Sequence, residues 1–362
     1  MKRADIIIIG GGVSGLMSAR ELALSGAHVV LLDRQSLARE SSWAGGGILS
    51  PLKPWRAAEP ITTLCRWSQA AYPHLAQALQ ESTGLDPEWL PSGLLFNDCD
   101  ELAEATQWAE AQGIRFERLS AGAVAGLEPG LRASPDSTPL LFPDVGQVRN
   151  PRLLRALRED LAQRGVELLE HHPVDQIRVE RGRVAGLVSR QESLSAEAYV
   201  LAAGAWSGLL ARNAGLADLP VGPVKGEMLI FDSPPGLLKR IVLDKGRYLI
   251  PRKDGKILAG STVENAQFNK STSMAAGDAL REFACGLLPA LRRFPIEKHW
   301  AGLRPGSPEG IPFIGPHPQL ANLFLNCGHY RNGFVMAPAS ARLLADHILK
   351  RPAIVSPDAY LP

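Results

Sequence analysis

Three short segments carry side chains suited to holding a charged small molecule. In Trp300-Ala301-Gly302-Leu303-Arg304-Pro305-Gly306, Arg304 sits between glycines and a proline in a segment with no other charge. A planar guanidinium fork held rigidly suits a carboxylate; read alone, Arg304 also fits a surface arginine or a structural ion pair. Gly328-His329-Tyr330-Arg331-Asn332-Gly333 runs into an apolar helix. A glycine-bounded loop at a helix N-terminus can hold an anionic or electron-rich ring edge, and a plain turn with solvated His329 and Arg331 is the alternative. Arg247-Tyr248-Leu249-Ile250-Pro251 reads as a strand, where Tyr248 either offers its hydroxyl to a ligand or packs as a half-buried ring. No Ser/His/Asp set, HExxH or CxxC pair occurs. His171-His172 would point to opposite faces of a strand and reads better as two solvated imidazoles on a loop or strand edge, so no metal site is expected.

These groups need a scaffold, and the chain opens with one. Ala4-Asp5-Ile6-Ile7-Ile8-Ile9 reads as a strand buried on both faces. Gly10-Gly11-Gly12-Val13-Ser14-Gly15 follows, and Val29-Val30-Leu31-Leu32-Asp33 closes the unit. Gly10 permits the tight turn, Gly12 lets backbone approach a pyrophosphate, and Gly15 lets helix and strand pack closely. The helix expected over 13–24 aims its free N–H groups and positive dipole end at the phosphates, and Asp33 stands where an acid receives ribose hydroxyls. Strand, glycines, helix, strand and acid together read as a dinucleotide site.

The 362 residues, 45% hydrophobic and 21% charged, suit about two globular domains. A net charge of +2 favours neither a nucleic-acid nor a membrane partner, and no apolar run is long enough to span a bilayer. Lys2-Arg3 before the isoleucines imitates a signal peptide only faintly, and no small-residue cleavage site follows. Cys65, Cys99, Cys285 and Cys327 lack metal-like spacing and read as structural thiols in the cytoplasm. Residues 61–79 have helical apolar spacing, 94–96 read as a strand, and Asn150-Pro151 as a helix start with Asn150 as cap. Strand patterns follow near 166–169, 174–179, 183–188 and 197–203, the last running into Gly204-Ala205-Trp206-Ser207. From 224 to 257 the pattern suits an antiparallel sheet; the tail returns to a strand at 323–325 and a helix near 338–350. The expected fold is α/β: a discontinuous Rossmann-like domain (residues 1–80, 145–222 and 305–362) interrupted by a substrate domain (81–144 and 223–304) of largely antiparallel sheet plus helices.

Taken together, the GGGVSG run with Asp33, the SSWAGGGIL loop (41–49), the AAGAWS strand end (202–207), WAGLRPG and GHYRNG resemble the D-amino-acid oxidase and glycine oxidase family of FAD flavoproteins, over nearly the whole chain. The likeness is greatest to the glycine oxidases of thiamine biosynthesis. It implies a glutathione-reductase-type FAD domain with noncovalent FAD. By this resemblance Val13 and Ser14 lie at the pyrophosphate and Asp33 and Arg34 at the adenosine. Ser41, Ser42, Gly46, Gly47 and Ile48 line the phosphates and flavin, and the backbone of Val174 meets the adenine. His329, Tyr330, Arg331, Asn332, Gly333, Phe334 and Val335 form the loop along the pyrimidine edge of the flavin. Arg304 pairs with the substrate carboxylate, Tyr248 hydrogen-bonds it, and Arg331 lies nearby. Two positions depart from the family pattern: Gly246 replaces a histidine and Val263 a methionine, both expected to alter the substrate pocket.

The activity implied is oxidative deamination of glycine, sarcosine and small D-amino acids by hydride transfer to flavin, giving an oxo acid, ammonia or amine, and peroxide, in thiamine thiazole synthesis. A homo-oligomer using oxygen is expected. The alternatives are a dehydrogenase with another electron acceptor, a D-amino-acid oxidase unconnected with thiamine, a flavin domain that modifies tRNA, and a flavin sensor without enzymatic activity.

Overall fold

The computed structural model describes residues 4–134, 136–216 and 218–362, so Lys2 and Arg3 lie outside the described residues. The first strand, Ala4–Ile9, sits inside a six-stranded sheet. It pairs in parallel with Val29–Leu32 on one side and Ala196–Leu201 on the other. Glu167–Leu169 and Leu323–Cys327 extend the sheet in parallel, and Phe313–Pro316 closes it as an antiparallel edge. The isoleucine run serves two cores: Ile6 and Ile8 pack into one, Ile7 and Ile9 into the other. The period of two sends alternate side chains to opposite faces, and each buried isoleucine contributes about 1.5–3 kcal/mol.

Two glycines make the strand-to-helix turn possible. Gly10 has φ +112°, and a Cβ there would lie 2.4 Å from the Ala202 carbonyl oxygen. A Cβ on Gly15 would lie 1.9 Å from the Gly10 carbonyl oxygen, so the helix Val13–Leu24 can approach the strand only without one.

The other large sheet has eight strands. Its centre is a run of antiparallel pairs: Ile296–Gly306 with Gly222–Phe231, then Ile257–Gly260, Arg247–Pro251 and Ile241–Asp244. Leu94–Phe96 joins Ile241–Asp244 in parallel, and Leu140–Phe142 and Glu117–Arg118 complete the far edge. A three-stranded antiparallel sheet spans 176–194. The boundaries expected at 80, 222 and 304 fall within continuous elements: the helix Glu59–Thr83 and the strands Gly222–Phe231 and Ile296–Gly306. Among the described residues no helix is long and apolar enough to cross a membrane.

Two local expectations are corrected. Arg149, not Asn150, occupies the cap of the helix Asn150–Gln163. The Asn150 carboxamide instead donates to the Ser42 carbonyl at 2.8 Å, tying that helix to the turn at Ser41–Ala44. The last long helix is Gly333–Ile348, with Pro338 inside rather than at its start. Pro338 has no N–H for the Phe334 carbonyl one turn back, and the buried Tyr72 hydroxyl donates to that carbonyl instead. Ser68 Oγ accepts the next amide, Ala339 N, at 3.0 Å. The helix therefore continues through the proline and begins at the GHYRNG loop.

Candidate active site

A cavity of about 1910 Å³, counting its open mouth, runs from the first helix's N-terminus to the face of the eight-stranded sheet. At the first end Gly10, Gly12, Val13 and Ser14 present backbone. The helix has no acidic residue in its first turn, and its Val13 amide donates to Ser42 Oγ at 2.9 Å. Asp33 accepts Gly11 N at 2.8 Å and Gln35 N at 3.0 Å. Burial raises its pKa above the ordinary carboxylate value. Beside it, the Arg34 guanidinium lies 3.8 Å from the Trp206 ring centre and bonds Glu40 at 3.0 Å. Val174 and His172 complete this end.

The opposite end is built from side chains. Arg304 lies opposite Val224 in the pairing of Ile296–Gly306 with Gly222–Phe231, and Gly226 lies opposite Gly302. The guanidinium rests on Gly226, where a Cβ would stand 2.2 Å from Nη2. Nη1 donates to the Lys225 carbonyl at 3.1 Å; Nη2 donates to Ser261 Oγ at 2.8 Å and the Thr262 carbonyl at 3.2 Å. Three of the five guanidinium N–H groups are thus spent on orientation, a fourth is turned to the Tyr248 hydroxyl, and one is left for a ligand. Burial, with a smaller contribution from the like charge of Arg331, lowers the Arg304 pKa from its ordinary value. The buried Tyr248 stands beside Arg304, its hydroxyl 3.7 Å from Met228 Sδ, a weak acceptor.

Acids in this region are engaged elsewhere. Fully buried Glu227 lies 2.7 Å from Lys225 Nζ and 2.7 Å from His299 Nε2. Among the lining residues the carboxylates are Asp33 and Glu40, both at the Arg34 end. The Arg304 end therefore holds two guanidiniums, Arg304 and Arg331, and two phenols, Tyr248 and Tyr330, with no acid among them. His329, also in the wall, is buried with Nε2 3.1 Å from Ser340 Oγ. Burial pushes its pKa down to about 4, so the ring is neutral at neutral pH.

The family model for FAD-dependent oxidoreductases matches residues 5–347. The chain belongs to the FAD-dependent oxidoreductase family. Its relatives include a glycine oxidase of Pseudomonas aeruginosa, 47% identical over 358 residues covering 99% of this chain and 98% of that protein. The bifunctional ThiO/ThiG protein of Trichormus variabilis is 34% identical over 96% of this chain and 53% of its own length. Among solved structures, glycine oxidase from Geobacillus kaustophilus superposes with a TM-score of 0.92 at 30% identity, covering 100% of this chain and 98% of that one.

FAD is the cofactor of this flavin-dependent oxidoreductase, and the walls suit it. The helix's first turn, at the phosphates' expected place, carries no acid, and the Asp33 carboxylate beside it is already engaged by the Gly11 and Gln35 amides. Two buried carboxamide oxygens of lining residues, Asn150 Oδ1 and Asn326 Oδ1, have no hydrogen-bond partner. Of the residues expected at the cofactor, Ser41, Ser42, Gly46, Gly47 and Ile48 line the cavity, as do Tyr330, Arg331, Asn332, Gly333 and Phe334. Gly15 and Val335 do not: Gly15 lies under the turn, and the Val335 side chain is in the core behind the helix. The four cysteines are buried and outside the lining.

Gly246 and Val263 do not occupy the positions expected for them. Gly246 follows Lys245 in the tight turn joining Ile241–Asp244 to Arg247–Pro251, with positive φ at both residues. Val263 is exposed to solvent. Neither belongs to the cavity wall. The residues that sequence reasoning missed include Asn150, Met228 and Ser261 in the wall. Arg252, behind the wall, was missed too. The AAGAWS strand end, read only as a close approach of backbone, supplies residues 202–206 to the lining.

Proposed function

We propose that the protein oxidises glycine, and with it sarcosine and small D-amino acids, to the oxo acid and ammonia or amine, passing the electrons to oxygen to give peroxide. The observation carrying this reading is the pair of guanidiniums, Arg304 and Arg331, beside the Tyr248 hydroxyl with no carboxylate among the residues lining that end. A substrate carboxylate supplies the missing charge. The Arg304 charge with one free N–H, and the Tyr248 hydroxyl, hold it and fix the position of the neighbouring carbon. When bound, FAD supplies the two-electron oxidising capacity. Neutral His329 is tied to Ser340 and takes no proton in this scheme, so positioning accounts for most of the protein's contribution. The Tyr248 ring and Met228 give the pocket an apolar wall, which favours small side chains and a neutral amine.

Noncovalent FAD is supported by the absence of cysteine from the lining, and a reducing cytoplasm by four buried free thiols. A homo-oligomeric assembly belongs to the same proposal. So does the role in making the thiazole of thiamine, supported by relatives in which the counterpart of this chain is fused to ThiG. The test is a panel of glycine, sarcosine, D-alanine and simple amines given to the purified yellow protein, with peroxide formation measured beside dye reduction. Peroxide from glycine supports the reading. Dye reduction without peroxide would replace it with a dehydrogenase, and no flavin reduction by any amine would exclude amine oxidation.

A further inference from the structure

Tyr248, Ile250 and Arg252 fall at alternate positions along and just beyond the strand Arg247–Pro251, so the pleat places them on one face. That face meets the glycine loop. At Gly46 a Cβ would lie 2.6 Å from Ile250 Cδ1 and 3.5 Å from the Tyr248 ring. One step along, Arg252 Nη2 donates to the Gly46 carbonyl at 2.7 Å. Its Nη1 donates to Gln147 Oε1 at 2.7 Å and the Val148 carbonyl at 3.0 Å. The Gly47 carbonyl accepts Val148 N at 3.0 Å, so the loop is pinned from two sides.

All three acceptors of Arg252 are neutral, although the residue is only 7% exposed. The neighbouring carboxylates, Glu88 and Asp254, are 3.3 and 2.8 Å from Arg149 Nη1, and no ion pair to Arg252 occurs among the described residues. Burial lowers its pKa to about 10, which still leaves it charged at neutral pH. A buried charge without a counter-charge is costly unless a ligand brings one.

We infer that Arg252 is a positioning residue for the flavin-facing Gly45–Gly47 loop and the internal counter-charge for the ring end of the cofactor. The inference rests on the proposed placement of the flavin against Gly46 and Gly47. A fixed cation behind that loop favours the reduced cofactor, which carries the greater negative charge, and so raises its potential.

The test uses holoenzyme reconstituted with FAD in wild type, Arg252→Gln and Arg252→Lys. Two quantities are read: FAD affinity by titration of apoprotein, and the two-electron midpoint potential against a reference dye. Arg252→Gln removes the charge and, being shorter, the bond to the Gly46 carbonyl, whereas Arg252→Lys keeps the charge. The potential of Arg252→Gln is expected to fall by about 30 mV or more, the equivalent of a tenfold change. Arg252→Lys restores the potential while FAD affinity stays below wild type, because one ammonium cannot reach all three acceptors in the same geometry. A wild-type potential in Arg252→Gln, or an equal fall in Arg252→Lys, overturns the inference alone. Wild-type protein that takes up no FAD overturns the cofactor placement and this inference with it.

Discussion

The two ends of the cavity offer hydrogen-bond donors by different means. Around Gly10–Gly15 the donors are backbone amides at the start of a helix, and side chains serve mainly to hold that backbone. Around Arg304 the donors are side chains, and backbone carbonyls and hydroxyls hold them. A backbone site depends on glycine and helix geometry within a few consecutive residues. A side-chain site depends on strands brought together from distant parts of the chain, with Gly226, Tyr248, Ser261 and Arg304 meeting through sheet register. The first should fail as a unit and the second residue by residue.

The sharpest test of that contrast is Gly15→Ala. The added methyl collides with the Gly10 carbonyl, and overpacking of this kind costs about 1–3 kcal/mol. The variant should purify without yellow colour and melt early by calorimetry; retention of FAD at the wild-type level would show that the turn tolerates displacement. Next, Arg304→Lys should leave FAD bound and raise KM for glycine roughly tenfold to a hundredfold, since losing a hydrogen bond to a charged group costs about 1.5–3 kcal/mol. Unchanged steady-state kinetics would remove Arg304 from the site. Tyr248→Phe should raise KM less, by roughly twofold to tenfold, as expected for one hydrogen bond worth about 0.5–1.5 kcal/mol.

Acid should act on neither end of the cavity but on an ion-pair cluster outside its lining. Hydrogen bonds from Arg56 and Lys53, helped by Trp55, hold the Glu101 pKa down at about 2 against an ordinary 4.5. The stability this contributes is present in full above pH 4.5 and is lost as pH falls toward 2. Urea titrations at pH 7 and pH 3 should show Glu101→Gln less stable than wild type at the higher pH, with the gap narrowing at the lower. The smallest effect is expected from Val263→Met: exposed and outside the cavity, it should change the glycine-to-sarcosine preference by less than about twofold, within the range of surface substitutions.

Legibility in the sequence follows the same division. Gly10, Gly12, Gly15 and Asp33 could be read from spacing because their partners are local: the turn, the helix and the next strand. Arg304 and Tyr248 could be picked out by residue type, but nothing in the intervening chain says that they meet. That depends on the order of strands in the eight-stranded sheet. Arg252 went unread because a basic residue next to Lys253-Asp254-Gly255 looks like an ordinary turn, and only the fold buries it. Asn150 was misread for a related reason. Asn before Pro is a common cap, yet its carboxamide is taken by Ser42, more than a hundred residues earlier. Pro338 misled because proline suits the first turn of a helix and is ordinarily excluded from its interior, where Tyr72 from another helix satisfies the carbonyl it leaves open.

The place of the isoleucine strand has a consequence for how the chain is made. Ala4 pairs with Ala196, 192 positions later, and the strand beyond that pair is Leu323–Cys327. At roughly 5–20 residues per second, a ribosome needs about 10–40 s to supply the first of these neighbours. Throughout that interval one edge of an aggregation-prone apolar strand stays unpaired. Yield on expression should therefore depend more on synthesis temperature and chaperone supply than on the stability of the finished enzyme.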